Sequence, residues 1–91
     1  MNFAYESEKL IALEDNIESG FIWYQFKNSE LTIIQTYVNE NARGKGVAKL
    51  LNEELFKHFS TFGPITLHIF CSYTEGFYSK NKDKYPMFTC K

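Results

Sequence analysis

Most apolar residues in the first 38 positions fall into four short segments, each bounded by polar or turn-forming residues. The segments cover residues 3–5, 10–13, 21–26 and 31–38, and they predict four β-strands. The stretches between them are rich in Asp, Asn, Ser and Gly, which favour tight turns. Because these connections are short, we expect neighbouring strands to pair as antiparallel hairpins.

The predicted fourth strand carries apolar side chains on both faces. In a regular strand, alternate side chains point to opposite sides of the sheet. One face then carries Leu31, Ile33 and Tyr37, and the other carries Ile34 and Val38. We therefore expect a central strand that is covered on both sides.

After residue 43 the spacing of apolar residues changes from two to three and four. Between residues 46 and 60 the apolar stripe comprises Val47, Leu50, Leu51, Leu55 and Phe59. The opposite side would carry Lys49, Asn52, Glu53 and Lys57. This pattern is typical of an amphipathic helix that packs on one side. Gly63 and Pro64 are expected to end this unit.

A further apolar segment, residues 65–71, predicts a fifth strand after the helix. A strand–helix–strand unit implies parallel pairing through a right-handed crossover. A second helix is predicted from residue 72 to about 80, with Ser72 as N-cap and Glu75 in the capping-box position. The expected fold class is α+β: a mixed, mostly antiparallel sheet with a βαβ unit and about two helices, in a single domain over residues 1–91.

Composition and charge fit one small intracellular domain of 91 residues, 44% of them hydrophobic. The net charge of −1 gives no field that attracts nucleic acid or an anionic membrane. No apolar run reaches the roughly 20 residues that cross a bilayer, and the start lacks a signal-peptide pattern, so we expect a cytoplasmic protein. No disulfide between Cys71 and Cys90 is expected. With His58 and His68 they match no zinc spacing, so no metal site is expected.

Two glycines and two basic residues stand where the fourth strand gives way to the helix. The first N–H groups of a helix have no acceptor within it, and the helix dipole adds positive charge, so this end suits an anion. Gly44 and Gly46 remove Cβ atoms where a phosphate must approach the backbone. Arg43 and Lys45 add positive charge. The spacing alone also allows an ordinary strand-to-helix turn with solvated basic residues.

This loop resembles the [Q/R]-x-x-G-x-[G/A] motif of GNAT acetyltransferases, matched here by Asn41-Ala42-Arg43-Gly44-Lys45-Gly46. Asn41 departs from the motif's first position. From about residue 3 to 85, the chain resembles more specifically a small single-domain subfamily with TYV, RGKG(I/V)A and CSY segments. The matching segments are Thr36-Tyr37-Val38, Arg43-Gly44-Lys45-Gly46-Val47-Ala48 and Cys71-Ser72-Tyr73. That subfamily usually has His before the TYV segment, where this chain has Gln35, so a base or proton relay is missing there.

The resemblance implies that acetyl-CoA is the cofactor and that its acetyl group passes to an amine. In this family strands four and five splay apart, and the pantetheine arm lies in the gap. Matching positions assign that arm to the backbone of Tyr37, Val38 and Asn39. They assign the pyrophosphate to Arg43, Gly44, Lys45, Gly46, Val47 and Ala48, and the thioester to the neighbourhood of Cys71.

The resemblance also implies catalytic candidates. Many members have Asn at the end of strand five and, seven residues later, a Tyr that protonates the leaving thiolate; the matching positions are Cys71 and Tyr78. Cys71 is either a contact of the pantetheine arm or a nucleophile that carries the acetyl group. Tyr78 is either the acid or a core aromatic, and Tyr73 is the second candidate for the acid. His68 precedes Cys71 by three positions on the predicted strand, so we expect it on the opposite face.

Most GNAT domains carry two helices between strands one and two that help build the acceptor pocket. Only strands and turns fit into the first 38 residues here. We expect an open acceptor side that takes an exposed amine on a protein, or that a second copy of the chain closes in a homodimer. Two other functions stay open: a CoA- or acyl-CoA-binding module without turnover, favoured by the departures at Gln35 and Asn41, and an interaction domain with an aromatic surface.

Overall fold

The predicted segments assemble into one six-stranded sheet with two helices. The computed structural model describes residues 1–90. Within them the strands are β1 (Asn2–Glu6), β2 (Lys9–Glu14), β3 (Ile17–Lys27), β4 (Glu30–Val38), β5 (Ile65–Ile69) and β6 (Phe88–Cys90). The α-helices are α1 (Val47–Phe59) and α2 (Ser72–Asn81), and short 3-10 turns cover Glu40–Ala42, Ser60–Phe62 and Lys82–Lys84.

The strands lie side by side in chain order. β1 to β4 form an antiparallel meander, β5 pairs parallel to β4, and β6 pairs parallel to β5. The predicted α+β class, with its βαβ unit and two helices, is confirmed. Only Ser7 and Glu8 separate β1 from β2, so no helix lies between them, as expected. β6 was not predicted, because a three-residue strand offers too little alternation to recognise.

Both helices pack on the same face of the sheet. The crossovers β4–α1–β5 and β5–α2–β6 run in the same direction across the sheet, and two right-handed crossovers then place their helices on one side. The helices also contact each other. The expectation that β4 is covered on both sides is therefore wrong. On the other side, called the open face below, Trp23 and Tyr37 are 43% and 41% exposed.

A β-bulge in β4 alters the alternation of its side chains. The pairing with β3 shifts by one residue, and Ile34 has no partner there. Before the bulge, Leu31 and Ile33 face the helices and are fully buried. After it, Val38 packs against the core while Tyr37 lies on the open face. The predicted grouping of Tyr37 with Leu31 and Ile33 is thus wrong, because one extra residue reverses the faces.

α1 buries most of the predicted stripe and a second stripe beside it. The expected residues that are buried are Val47, Leu51, Leu55 and Phe59. Leu50 was expected in the core but is 39% exposed, whereas Asn52 and Phe56 are fully buried. The reason is α2, which packs against that side of α1. Phe56 there contacts the rings of Phe77, Tyr78, Tyr85 and Phe88.

α2 covers the span predicted for it but begins differently. Its N-cap is Cys71, whose backbone is extended, and Ser72 already lies within the helix, so the predicted cap role of Ser72 is wrong. β5 ends at Ile69 rather than at residue 71. Phe70 and Cys71 therefore form the junction between β5 and α2, which places the thiol at the start of a helix.

Candidate functional site

β4 and β5 pair only over the first half of β4. Glu30–Ile33 pairs with Thr66–Ile69, and the last bond across the pair is donated by the Phe70 N–H to the Ile33 carbonyl at 2.9 Å. Beyond the bulge, the described part of the chain supplies no further strand on that side of β4. The backbone edge of β4 up to Val38 is therefore left without a strand partner next to the end of β5.

The loop before α1 is shaped by two glycines in the left-handed conformation. Gly44 has φ 83° and Gly46 has φ 77°, which side chains disfavour. The first intrahelical bond is donated by the Leu50 N–H to the Gly46 carbonyl at 3.0 Å. The N–H groups of residues 47–49 precede this donor and so have no acceptor within the helix.

A cavity of about 270 Å³, called the loop cavity, lies beside this helix start. Its lining residues are Val38, Ala42, Arg43, Gly44, Gly46, Val47, Ala48, Lys49 and Tyr73. Arg43 Nε donates to the Val38 carbonyl at 3.3 Å. Lys45 instead lines a separate cavity with Glu14, Asp15 and Glu18. The loop cavity thus brings together Arg43 and Lys49, and not the predicted pair of Arg43 and Lys45.

A second cavity of about 260 Å³, called the gap cavity, lies where β4 and β5 separate. It is lined by Ile34, Gln35, Thr36, Phe70, Cys71, Ser72 and Tyr73. Tyr73 lines both cavities, so the two share a wall. Together they extend from the N-terminus of α1 to the thiol of Cys71.

The backbone groups predicted to contact the pantetheine arm differ in whether they already have hydrogen-bond partners within the protein. The Asn39 N–H donates to the Ser19 carbonyl at 2.8 Å, and the Asn39 carbonyl accepts from the Ala42 N–H at 2.9 Å. Both backbone groups of Asn39 therefore have partners within the protein. Val38 lines the loop cavity, and Tyr37 precedes it on the unpaired edge of β4.

A family model of GCN5-related N-acetyltransferases matches residues 8–87, most of the chain. The chain belongs to this family. Its expected membership of the GNAT superfamily, a family of acyl-transferring enzymes, is thus confirmed. No curated protein matches the chain.

Several solved structures share the fold of this chain. The ribosomal-protein-S18-alanine N-acetyltransferase of Escherichia coli aligns at 18% identity and TM-score 0.58, over 60% of this chain and 36% of that one. A Staphylococcus aureus protein described as GCN5-like aligns at 22% and TM-score 0.72, over 99% and 89%. The PaiA N-acetyltransferase of Thermoplasma acidophilum, in complex with coenzyme A, aligns at 23% and TM-score 0.64, over 80% and 48%. This chain thus spans about a third of the first, nearly all of the second and about half of the third.

Cys71 begins a hydrogen-bonded chain that connects the gap cavity to α1. Cys71 Sγ lies 3.5 Å from Thr36 Oγ1, which lies 3.3 Å from Thr74 Oγ1. Thr74 donates to Asn52 Oδ1 at 2.7 Å, and Asn52 Nδ2 donates to the Ala48 carbonyl at 2.8 Å. Thr74 and Asn52 are fully buried. The thiol is therefore tied to the first turn of α1, beside the loop cavity.

The number of hydrogens on each group determines the donor and the acceptor of every hydrogen bond between Cys71 and Asn52. The amide nitrogen of Asn52 faces a carbonyl, so its oxygen faces Thr74, whose single hydroxyl hydrogen must point to it. Thr74 can then only accept from Thr36, and Thr36 in turn accepts from the S–H group of Cys71. Asn52 thus sets the hydrogen-bond direction at a thiol three residues along the network.

Two opposing effects act on the pKa of Cys71. Burial raises the pKa, while hydrogen bonds from Thr36 and from the backbone of Thr74 lower it, and the net result lies below the usual value. A thiolate would draw the Thr36 hydroxyl hydrogen away from Thr74. Asn52 therefore limits how far the hydroxyls can stabilise the thiolate, because it holds the hydrogen of Thr74.

Tyr78, the predicted acid, lies in a different part of the structure. Its hydroxyl donates to the Phe88 carbonyl at 3.2 Å, and burial raises its pKa. Phe88 pairs with Ile65 at the start of β5, whereas the gap begins beyond Ile69, about 13 Å further along the strand. The catalytic role of Tyr78 stays a prediction. The phenol that does line the gap cavity belongs to Tyr73.

His68 lies on the open face, where its Nε2 is 2.6 Å from Glu30 Oε1. This is the side opposite Cys71, as expected from the strand alternation. Among residues 1–90, no group of three or more His, Cys, Asp or Glu side chains is placed to hold a metal ion. None of the described helices is long and apolar enough to cross a membrane.

Gly20 shapes the site although the sequence analysis did not single it out. A Cβ there would lie 2.5 Å from the Tyr37 carbonyl oxygen and 3.3 Å from Val47 Cγ1. Gly20 thus lets the end of β4 and the start of α1 approach β3 closely. A lone glycine inside a strand pattern is a signal of such close approach and could have been used. The buried polar cluster of Thr36, Thr74 and Asn52 gave no comparable signal.

Proposed function

We propose that the protein transfers an acetyl group from acetyl-CoA to an amine. The observation that carries the proposal is the junction of two cavities at Tyr73, with a helix N-terminus at one end and the Cys71 thiol at the other. CoA has the same order of parts: an anionic pyrophosphate, a neutral pantetheine arm and a terminal sulfur. The CoA bound to the Thermoplasma acidophilum relative supports the same ligand for this chain.

The pyrophosphate would bind at the loop cavity. The N–H groups of residues 47–49 have no acceptor in the helix, and the helix end carries about half a positive charge. Arg43 and Lys49 add full charges from two sides of the cavity. Lys49 adds a cation to the loop cavity, whereas Asn41, which replaces the long polar side chain of the family motif, lines the other cavity. Each charge-assisted hydrogen bond is worth about 1.5–3 kcal/mol.

The pantetheine arm would follow the unpaired edge of β4. Its amide groups can bond to a strand edge in the manner of an added strand, which satisfies backbone groups that β5 leaves unmatched. Val38 lies on this edge, where its carbonyl also accepts from Arg43 Nε. The Tyr37 carbonyl faces Gly20 of β3, and Asn39 is already bonded to Ser19 and Ala42. This placement leads the thioester towards Cys71 in the gap cavity.

In the proposed reaction, the amine nitrogen attacks the thioester carbonyl carbon. A C–N bond forms, the C–S bond breaks, CoA leaves as a thiolate and the amine loses a proton. A donor near the sulfur lowers the barrier to departure. Tyr73 lines the gap cavity and is placed for this role, and Tyr78 is the second candidate.

Cys71 has two roles compatible with the same site. It either contacts the cofactor as a neutral thiol, or attacks the thioester as a thiolate and passes the acetyl group on to the amine. The lowered pKa favours the second role, and the direction of the hydrogen-bonded chain favours the first. Mass spectrometry after incubation with acetyl-CoA separates them. A covalent acetyl group lost in Cys71→Ser identifies the nucleophile, whereas full transfer by Cys71→Ser identifies a contact.

Calorimetric titration with acetyl-CoA tests the cofactor site. Gly46→Val should abolish binding, because it strains the left-handed backbone that aims the first helix amides. Gly63→Val is the matched control: Gly63 also has positive φ and no neighbour within 4 Å of a Cβ, but it lines neither cavity. Equal binding losses in both variants, or no heat with the unaltered protein, would contradict the assignment.

A non-catalytic CoA-binding module is the second candidate function. Gln35, in place of the subfamily's His, lines the gap cavity and supplies no base there. Free CoA thiol is measured while acetyl-CoA is incubated with a panel of amines. Binding without amine-dependent thiol release would favour the module, and release with one amine would exclude it.

A further inference from the structure

The gap cavity connects the two faces of the sheet. Its lining includes Thr36 and Cys71, which face the helices, and Gln35 and Phe70, which lie towards the open face. Phe70 is 76% exposed. Since α1 lies on the helix side, the proposed cofactor occupies that side. If the proposed function holds, the acceptor amine therefore enters from the open face.

The gap cavity supplies no carboxylate and no imidazole as a base for an alkylammonium ion. As a thiol, Cys71 donates its hydrogen to Thr36, and as an acetylated nucleophile it would have no free thiolate to accept a proton. Gln35, which pairs with Trp23, presents an amide at the entrance. The acceptor must therefore lose its proton before it reaches the thioester.

The nearest charged groups on the surrounding elements do not supply the gap cavity with a base. On β5, His68 is bonded to Glu30 of β4. On β2, the Lys9 ammonium sits 4.5 Å from the centre of the Phe21 ring. Glu75, in the first turn of α2, is exposed and lines none of the cavities that share Tyr73.

The cavities adjoining the gap carry positive charge. Arg43 and Lys49 line the loop cavity, and Lys49 and Lys80 line a cavity of about 520 Å³ between the helices. Tyr73 borders both of them and the gap cavity. No carboxylate lines any of the three. None of the three cavities therefore offers an alkylammonium ion an anionic partner or a carboxylate base, whereas a free amine needs neither.

We infer that the acceptor is an amine of low pKa, the α-amine of a peptide, which enters from the open face as the free base. At pH 7 an α-amine of pKa about 7.7–8.0 is roughly one-tenth free base or slightly more, whereas a lysine amine of pKa about 10.4 is free in only about four molecules in ten thousand. The ratio is on the order of 300. The lysine amine is the stronger nucleophile once it is free, and this reduces the advantage. The α-amine should still be acetylated about tenfold faster or more.

Two matched peptides test this inference. One has a free N-terminus and no lysine; the other has an acetylated N-terminus and a single lysine. CoA thiol release is measured with both, and with an amino-acid amide, which carries the α-amine without the rest of a peptide. The first peptide should be acetylated at least tenfold faster at pH 7. For each peptide the rate should rise tenfold per pH unit until the acceptor's own pKa is reached.

A single substitution can supply the missing base. Gln35→His places an imidazole of ordinary pKa about 6.5 in the lining of the gap cavity. It should speed acetylation of the lysine peptide at pH 7 and flatten its pH dependence above about pH 7. His68→Gln is the control on the same face and should leave both profiles unchanged, because His68 does not line the cavity.

The outcomes separate this inference from the proposed function. Comparable rates for both peptides, or a lysine rate that levels off near pH 7 in the unaltered protein, would overturn the inference. Acetyl-CoA binding without release by either peptide would overturn it too, while leaving the cofactor site standing. Absence of acetyl-CoA binding would overturn both. The pH profiles of the unaltered protein decide even if Gln35→His does not fold.

Discussion

Gly20→Ala is expected to damage the cofactor site from a position that lines neither the loop cavity nor the gap cavity. The added Cβ would lie 2.5 Å from the Tyr37 carbonyl oxygen, 3.2 Å from Val38 Cα and 3.3 Å from Val47 Cγ1. The first contact is about 1 Å shorter than a normal one. Two of these atoms belong to backbone, so no side chain can rotate to make room. The end of β4 must move away from β3, and α1 must shift with it.

The magnitude follows from the crowding. Overpacking of a well-packed site costs about 1–3 kcal/mol. For a domain of this size each kcal/mol shifts Tm by about 4–8 °C, so Tm should fall by about 4–24 °C. A displacement of about 1 Å at Val38 and Val47 moves two walls of the loop cavity. We expect acetyl-CoA affinity to fall about tenfold, which corresponds to about 1.4 kcal/mol.

Gly76→Ala is the matched control. Gly76 lies inside α2, has no unusual φ and would have no heavy atom within 4 Å of its Cβ. Alanine should therefore raise stability by about 0.5–1 kcal/mol and Tm by about 2–8 °C, with affinity unchanged. Thermal melts and calorimetry on both variants make the comparison. A folded Gly20→Ala protein with unaltered Tm and affinity would refute the close-approach argument.

Three further predictions concern the groups around the gap. Tyr73→Phe should lower kcat. Tyr78→Phe should instead lower Tm by about 4–8 °C, because one hydrogen bond is lost, and leave kcat within about twofold. A loss of kcat in Tyr78→Phe and not in Tyr73→Phe would restore Tyr78 as the acid. In a Cys90→Ser background, the iodoacetamide alkylation rate of Cys71 should rise with pH as thiolate forms, with a midpoint below that of an unstructured cysteine peptide measured alongside, since its pKa is lowered. A midpoint at or above that of the peptide would contradict this. Asn52→Leu should lower that midpoint further, because Thr74 is then free to donate towards the thiol; an unchanged midpoint would contradict the assigned hydrogen-bond direction.

The sequence predicted those parts of the fold that local periodicity encodes. The α1 stripe, the four meander strands and the span of α2 each depend on consecutive residues. The position of α2 against α1 depends on a second crossover, and it explains why Asn52 and Phe56 are buried and Leu50 is not. That contact joins residues more than 20 positions apart, and no pattern within α1 alone indicates it.

The same division applies to the candidate site. The glycine loop was found because its residues are consecutive and their types suit a phosphate. Lys49 was missed, and Tyr73 was ranked behind Tyr78 as the acid, because their positions depend on how α1 and α2 face the loop. The role of Lys45 near the pyrophosphate stays a prediction, since its side chain lines the cavity on the acidic side of the loop.

One residue, Ile34, connects the fold to the chemistry of the gap. Without the bulge, regular alternation from Ile33 would turn Gln35 towards the helices and Thr36 towards the open face. Cys71 would then lose its hydrogen-bond partner, and the entrance would lose its neutral amide. The bulge also marks the place where pairing with β5 stops. One inserted residue therefore both ends the pairing that closes the gap and determines which side chains of β4 face each side of the sheet. The sequence does not reveal this insertion, because Ile is also an ordinary residue of regular strands.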